Sequence, residues 1–369
     1  MKRNKNESQV PEIWSYRLNS DDEFELYRPG SEKKKTKKGK LSLITKLLLV
    51  IDLCAVCCFA VAYGPWGKIR EWLVTTAMST WHHKYFAYIL YSEEKVDEII
   101  GMNSSIESKE QTDASAIKFI EQPDTGVYSS IYEEQILKKD EGNDEYKVIE
   151  IKENGYAGFI TVVYHPENLD FVISRHGYGS TITEFAEDNN ASVAVNASGF
   201  GRDSNNICYA NCNLIVNGKV FYSTHKTGRI IGMNNDNVLC LLKATAEEAV
   251  KQGMRWGCEF GPFLIVNGEP TKFTGNGGYG LNPRTAIGQR QDGIVLLVTI
   301  DGRGGSGSSG IDMVELTEIF LRYGCYNAAN LDGGGSTMLA VEGELRNNPT
   351  GWGYSGERYI YNALVLKNK

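Results

Sequence analysis

A single apolar run does most to decide what this chain can become. Leu41–Tyr63 reads LSLITKLLLVIDLCAVCCFAVAY, and crossing a bilayer takes roughly 20 helical residues. The run is therefore expected to be one transmembrane helix. Lys46 lies near its start and can snorkel to the interface. Asp52 lies deeper, where an acid costs about 2.5–3.5 kcal/mol. The simpler reading is that the long Leu, Val, Ala and Cys stretch tolerates one acid; the alternative is that Asp52 faces a partner helix. A signal peptide fits less well, because the run starts some 40 residues in and is long for such a segment. The basic cluster Lys33–Lys40 precedes it, so the positive-inside rule puts the N-terminus in the cytoplasm. The expected protein is a single-pass one of the cell membrane, with its C-terminal domain extracytoplasmic.

The rest of the chain divides around that run. Residues 1–40 are polar and weakly patterned, a flexible cytoplasmic basic tail. Residues 64–148 hold an amphipathic, aromatic juxtamembrane segment, WGKIREWLVTTAMSTWHHKYFAYILY, and then a polar stretch that reads as a stalk. The segment is expected to lie on the membrane or dock on the domain. Its adjacent His82 and His83 point to different helix faces and are read as interfacial rather than as ligands. Residues 149–369 are long enough for one substantial core. The chain carries net charge −7 despite the basic block, which argues against a nucleic-acid partner.

Within the large domain the signals are mostly those of strands. KVIEIKENGYAGFITVVYHP alternates as a hairpin. Asn217-Gly218 and Asn267-Gly268 are two-residue hairpin turns. Asp170–Ser174, Ala191–Val195, Gly293–Ile300, residues 327–331 and Tyr359–Leu366 read as further strands. Thr183–Asn190 reads as a short helix. Thr245 and Glu248 form a capping box that opens a helix over 246–252, and Asp312 caps a helix over Met313–Tyr323. Strands outnumber helices. The expected fold class is α+β, a single domain on a mixed or antiparallel sheet with flanking helices, preceded by one transmembrane helix.

Polar residues gather at strand ends and in glycine loops: Asn196-Ala-Ser-Gly-Phe200, Gly261-Pro-Phe263, Asn282-Pro-Arg-Thr285, Asp301-Gly-Arg303 and Asp332-Gly-Gly-Gly-Ser-Thr337. Each alone is a tight turn with a solvated charge. Five in one domain point to an active site, because glycine lets backbone approach a ligand closely. Arg284 and Arg303 can clamp phosphate oxygens in bidentate fashion. Gly333–Gly335 can offer N–H groups as an anion nest. Asp301 and Asp332 can divide acid, base or nucleophile roles. Glu259 is a third candidate carboxylate. His176 and His225 are candidate proton carriers, more simply read as surface histidines.

Several chemistries lack support. No HExxH, GxSxG or Walker pattern occurs. Asp301 and Asp332 could hold a cation, but no ligand spacing demands a metal, and no cofactor is expected. Five cysteines follow the apolar run, and Cys208 and Cys212 could pair or bind metal, although free thiols are the simpler reading. Gly305-Ser-Gly307-Ser-Ser-Gly310 matches the dinucleotide pattern GxGxxG, but Asp301–Gly304 separate it from its strand. It is better read as a loop beside Arg303, a candidate substrate lid.

The blocks FGPFLIVNGEP, NPRTAIGQRQDGIVLLVTIDGR and YNAANLDGGGSTMLAVEGE closely resemble signature blocks of the phosphodiester glycosidase family, the uncovering-enzyme group with its bacterial exopolysaccharide-biosynthesis members. The resemblance runs roughly from Lys147 to Leu366. REWLVTTAMSTWHHKYFAYILYS also resembles the juxtamembrane segment of membrane-anchored bacterial members. The resemblance implies hydrolysis of a sugar-1-phosphodiester at the glycosidic C1–O bond. It carries function onto Asn196, Arg284, Asp301, Arg303, Asp332, Gly333, Gly334 and Ser336. The family reads Asn-Gly-Gly-Phe where this chain has Asn196-Ala-Ser-Gly-Phe200. Asp332 and Asp301 are then the expected catalytic pair and the others bind substrate phosphate, the substrate being a sugar phosphate or envelope glycopolymer. Two other classes use the same features: a non-catalytic binder of surface glycopolymer, and a structural partner in a polysaccharide assembly complex that Asp52 contacts.

Overall fold

The computed structural model describes residues 15–18, 24–27, 42–78, 84–120, 126–351 and 354–368. Lys33–Lys40, His82 and His83 lie outside these. The chain forms two compact units, residues 1–60 and 61–369.

In the first unit Ser15–Leu18 pairs antiparallel with Phe24–Tyr27, in a stretch expected to be a flexible tail. Helix α1 (Leu43–Tyr63) follows. Its 21 residues span about 30 Å at 1.5 Å per residue. Mean hydropathy across its most apolar window is 2.4 and none of that window is buried in protein. By length and composition α1 can cross a membrane once.

The second unit is built on three sheets, and every strand pairing recorded among the described residues is antiparallel. The central sheet has seven strands. Across its middle Cys325–Asn330 pairs with Arg284–Arg290, which pairs with Val295–Ile300, which pairs with Tyr156–Val163. A second sheet has Ala191–Asn196 between Leu339–Val341 and Asn362–Lys367. A third is centred on Met254–Glu259 and Gly228–Asn234.

Side-chain alternation explains how the sheets share one interior. Val295 and Leu297 face the same core as Val193, Val195, Ile231 and Trp256, drawn from all three sheets. Leu296, Val298 and Ile300 point the other way, onto Leu316, Ile319 and Phe320 of a helix. Successive side chains leave a strand on opposite faces, so a strand covered on both sides has no polar face. Each sheet carries such a helix outside. In chain order they continue from α2 (Gly67–Met78), α3 (Lys84–Leu90), α4 (Glu93–Met102) and α5 (Ile131–Leu137). Helix α6 (Ile182–Asp188) covers the second sheet, α7 (Ala246–Lys251) the third and α8 (Met313–Arg322) the central one.

Residues 92–147, which look like a stalk in sequence, fold onto this unit. Ile136 of α5 is fully buried in the core under α8. Ser105–Ile106 pairs with Lys272–Phe273. Helix α2 is tied to the neighbouring loop by a hydrogen bond from Asn276 Nδ2 to Thr75 Oγ1, 2.7 Å.

Candidate functional site

Three strands of two sheets end at one place. Ala191–Asn196 brings in Asn196, Arg284–Arg290 brings in Arg284, and Cys325–Asn330 leads through Leu331 to Asp332. Asn196 laces them together. Its Nδ2 donates to the Asp332 carbonyl, and its Oδ1 accepts from Thr285 Oγ1 at 2.6 Å and from the Met338 N–H at 3.1 Å. The Asp332 N–H donates to Ala197 O at 2.8 Å. Asn196 is buried with both ends of its amide occupied, so it sets the position of Asp332.

The glycines after Asp332 have specific reasons to be glycine. A Cβ on Gly333 would stand 2.7 Å from the Pro283 carbonyl oxygen. Gly334 has φ +61 and its N–H donates to Pro283 O at 2.8 Å. A Cβ there would lie 3.1 Å from Arg303 Nη2. Thus the Asp332 loop lies on Pro283–Arg284 and the Arg303 guanidinium stands over Gly334. Arg303 itself sits at φ +56. Its guanidinium also donates to Asn282 Oδ1 at 3.3 Å and Thr350 O at 3.5 Å.

Arg284 is buried, and the acceptors recorded for it are carbonyls: Tyr279 and Gly280 at 2.9 Å and Ile311 at 3.4 Å. Among the described residues no carboxylate lies within 4.0 Å of it. Burial pulls its pKa down to about 10; Tyr279 and the Asp312 charge oppose that shift, and the nearby Arg303 charge adds to it. Two guanidiniums that feel one another near a glycine loop could hold an anion.

The two expected catalytic carboxylates differ sharply. Asp301 is buried, and its carboxylate accepts from Ser306 Oγ at 2.6 Å, Asn347 Nδ2 at 2.8 Å and the Asn348 N–H at 3.1 Å. Its carbonyl takes Ser308 Oγ at 2.6 Å. Asp332 keeps part of its surface open. Desolvation raises its pKa, against the opposing pull of the Ser336 hydroxyl, the Arg358 charge and the Gly333 N–H. Arg358 carries no motif and was not singled out from sequence; it stacks on Phe200, 5.6 Å from the ring centre.

Glu259 ends its strand and is fixed by Asn213, whose N–H and Nδ2 donate to Oε2 at 3.0 and 2.8 Å. Cys212 feels the charges of both Glu259 and Asp332, and burial pushes its thiol up to about 11. Cys208 and Cys212 are both free. His176 and His225 are exposed and face Asp188 and Glu247. The glycine loop 305–310 opens no helix: Gly305–Gly307 is one 3₁₀ turn and α8 starts only at Met313. Ser309 N–H to Gly155 O at 2.9 Å helps to pin it.

Relatives match over this same region. Residues 189–367 fit the family model for phosphodiester glycosidase, a span that holds every site residue named above. A prophage-derived uncharacterized protein of Bacillus subtilis (strain 168) is 32% identical over 179 residues, 46% of this chain and 27% of its own length. The human N-acetylglucosamine-1-phosphodiester alpha-N-acetylglucosaminidase is 26% identical over 227 residues, 55% of this chain and 43% of its own. The chain thus spans less than half of these curated relatives. The catalytic domain of the zebrafish enzyme of that name, auto-inhibited by its pro-peptide, superposes with a TM-score of 0.51 at 18% identity, covering 63% of this chain and 86% of that one. The fold is therefore that of the zebrafish domain, and residues 189–367 of this chain match the phosphodiester glycosidase family model.

Proposed function

We propose that this protein hydrolyses the glycosidic C1–O bond of a sugar-1-phosphodiester in an envelope glycopolymer or exopolysaccharide, held outside the cytoplasm by α1. The observation that supports the reading is the buried Arg284, a cation hydrogen-bonded to carbonyls and, among the described residues, to no carboxylate, whose Cα lies against the Gly333 loop and whose charge is felt by Arg303. The Asp312 charge offsets this burial only in part; a buried cation without a contacting counter-ion is costly, and a phosphodiester would supply one.

In this reading Arg284, Arg303 and the glycine loop hold the phosphate and take the charge that develops on the leaving oxygen. Asp332 faces the anomeric carbon, where its carboxylate stabilises positive charge and accepts a proton from the attacking water. Water adds to C1, the C1–O pair leaves with the phosphate, and free sugar and a phosphomonoester result. Asn196 positions Asp332, and Asp301 holds the loop that carries Arg303.

Asp332→Asn in the purified full chain should lower release of N-acetylglucosamine from its 1-phosphodiester by at least 10³-fold, about 4 kcal/mol of barrier. A near wild-type rate would remove Asp332 from the chemistry. Saturable binding without product in the unmodified protein would favour the glycopolymer binder instead.

A further inference from the structure

A cavity of about 290 Å³ opens between α2 and α3. Its wall is apolar, with Trp72, Leu73, Ala77, Phe86, Leu90 and Tyr91 contributing. The catalytic domain adds two polar residues to that wall, Asn282 and Arg303. Arg303 is also the residue whose guanidinium stands over Gly334, so one side chain borders both the apolar cavity and the Gly334 loop.

The end of the apolar helix belongs to the same construction. The Tyr91 hydroxyl donates to Ala62 O at 2.8 Å, and the Tyr63 and Tyr91 rings lie 5.9 Å apart. Of the lining residues Trp72 and Phe86 are exposed, as are Ile89 on α3 and Trp66 just before α2. Tryptophan and tyrosine at the end of an apolar span suit a membrane interface. The volume holds on the order of ten water-sized groups at ~30 Å³ each. That admits a chain but not a helix, which is about 10–12 Å across.

An apolar slot bordered by a guanidinium fits a ligand with a hydrocarbon chain esterified to phosphate. We propose that the cavity takes the chain of a lipid-linked sugar phosphate. The bond cleaved then joins the sugar to a membrane lipid's phosphate: water adds to C1, the C1–O bond breaks, and the phosphate leaves with the lipid. The proposal rests on the phosphodiester hydrolase reading for its chemistry and on Arg303 for its phosphate end.

The test uses the full chain in phosphatidylcholine nanodiscs, as wild type, Ala77→Phe and Leu73→Trp. The substrates are the dodecyl and methyl esters of N-acetylglucosamine 1-phosphate. Wild type should show a KM for the dodecyl ester at least ten-fold below that for the methyl ester. Both cavity-filling variants should lose that advantage and keep methyl-ester kcat/KM, which also reports that they fold. Equal KM values in wild type, or an advantage surviving in both variants as simple partitioning into the bilayer would give, overturn the proposal. Failure of both esters to react removes the hydrolase reading and leaves a binding readout to decide the cavity. There, tryptophan quenching by 12-bromododecyl phosphate should saturate at ten-fold lower concentration in wild type than in Ala77→Phe, and equal saturation overturns the proposal.

Discussion

Arg284→Met keeps an unbranched apolar stem in the site and removes the charge. Burial holds the guanidinium at about 10 instead of its ordinary 12.5. At 1.36 kcal/mol per pH unit, that gap costs the folded state on the order of 3 kcal/mol. The sign follows from which form is disfavoured. Below about pH 10 the group is charged in both folded and unfolded chains and the cost is present in full. It is relieved only as pH climbs from about 10 towards 12.5. The variant sheds the cost at neutral pH, but the carbonyls of Tyr279, Gly280 and Ile311 lose their donor. A hydrogen bond to a charged group contributes about 1.5–3 kcal/mol, so the two 2.9 Å bonds, to Tyr279 and Gly280, together contribute about 3–6 kcal/mol and offset the relief or exceed it. Unfolding free energy of the ligand-free protein should fall by about 0–3 kcal/mol.

The ligand-bound protein should behave differently. Phosphate at a hundred times its dissociation constant stabilises a folded protein by about 2.7 kcal/mol. For a unit of this size that is roughly 5 °C in Tm, at about 2 °C per kcal/mol. Thermal unfolding with and without phosphate should show this gain in wild type and less than about 1 °C in Arg284→Met. The variant's kcat/KM should fall by about 10²–10³-fold, as loss of two charge-assisted hydrogen bonds implies. Arg284→Lys, a point charge without the planar fork, should fall between the two. A variant that loses more than about 4 kcal/mol of stability yet keeps the phosphate gain would refute the reasoning, because Arg284 would then belong to the fold and not to the ligand.

Two further substitutions separate the loops from the chemistry. Asp301→Asn turns an amide donor towards three existing donors, Ser306, Asn347 and Asn348. It should destabilise the protein by about 2–4 kcal/mol and speed hydrogen exchange at residues 302–308; unchanged exchange there would argue against the clamp. Gly334→Ala places a Cβ at φ +61 and within 3.1 Å of Arg303 Nη2. The strain is about 1–2 kcal/mol, and displacement of Arg303 should raise KM by about ten-fold with little change in kcat. An unchanged KM would detach Arg303 from the substrate.

Local chemistry made part of this fold readable. Thr245 and Glu248 form the reciprocal capping box, and Asp312 caps α8. Both Asn-Gly turns have positive φ at each residue, as a tight hairpin requires. The third sheet was harder. Gly228–Asn234, Leu239–Ala244 and Met254–Glu259 are buried on both faces and show no alternation. Arg284–Arg290 contains Gly288, which reads as a strand breaker, yet a Cβ there would meet the Phe320 ring at 2.6 Å. That glycine is what lets α8 pack closely. Residues 92–147 look like a stalk in sequence because polar spacing hides single anchors such as Ile136. The motifs named Asp332, Arg284 and Arg303, whereas Arg358 and Cys212 reach Asp332 only through folding and leave no pattern.

Asp301-Gly and Asp332-Gly look alike in sequence, since both follow apolar strands and both precede glycine. What separates them is donor supply. Asn347 and Asn348 come from a loop more than 40 residues on and fill the Asp301 carboxylate. Asp332 receives one hydroxyl and one N–H, which leaves carboxylate lone pairs for a ligand. A carboxylate whose lone pairs are filled by donors has no place for a water, whereas Asp332 has lone pairs open to one and burial makes it more basic. Under the proposed reaction a single working carboxylate is sufficient, because the departing phosphate is a good leaving group and the two arginines bear its charge. The second aspartate then serves catalysis at a distance, by fixing the loop from which Arg303 reaches over Gly334.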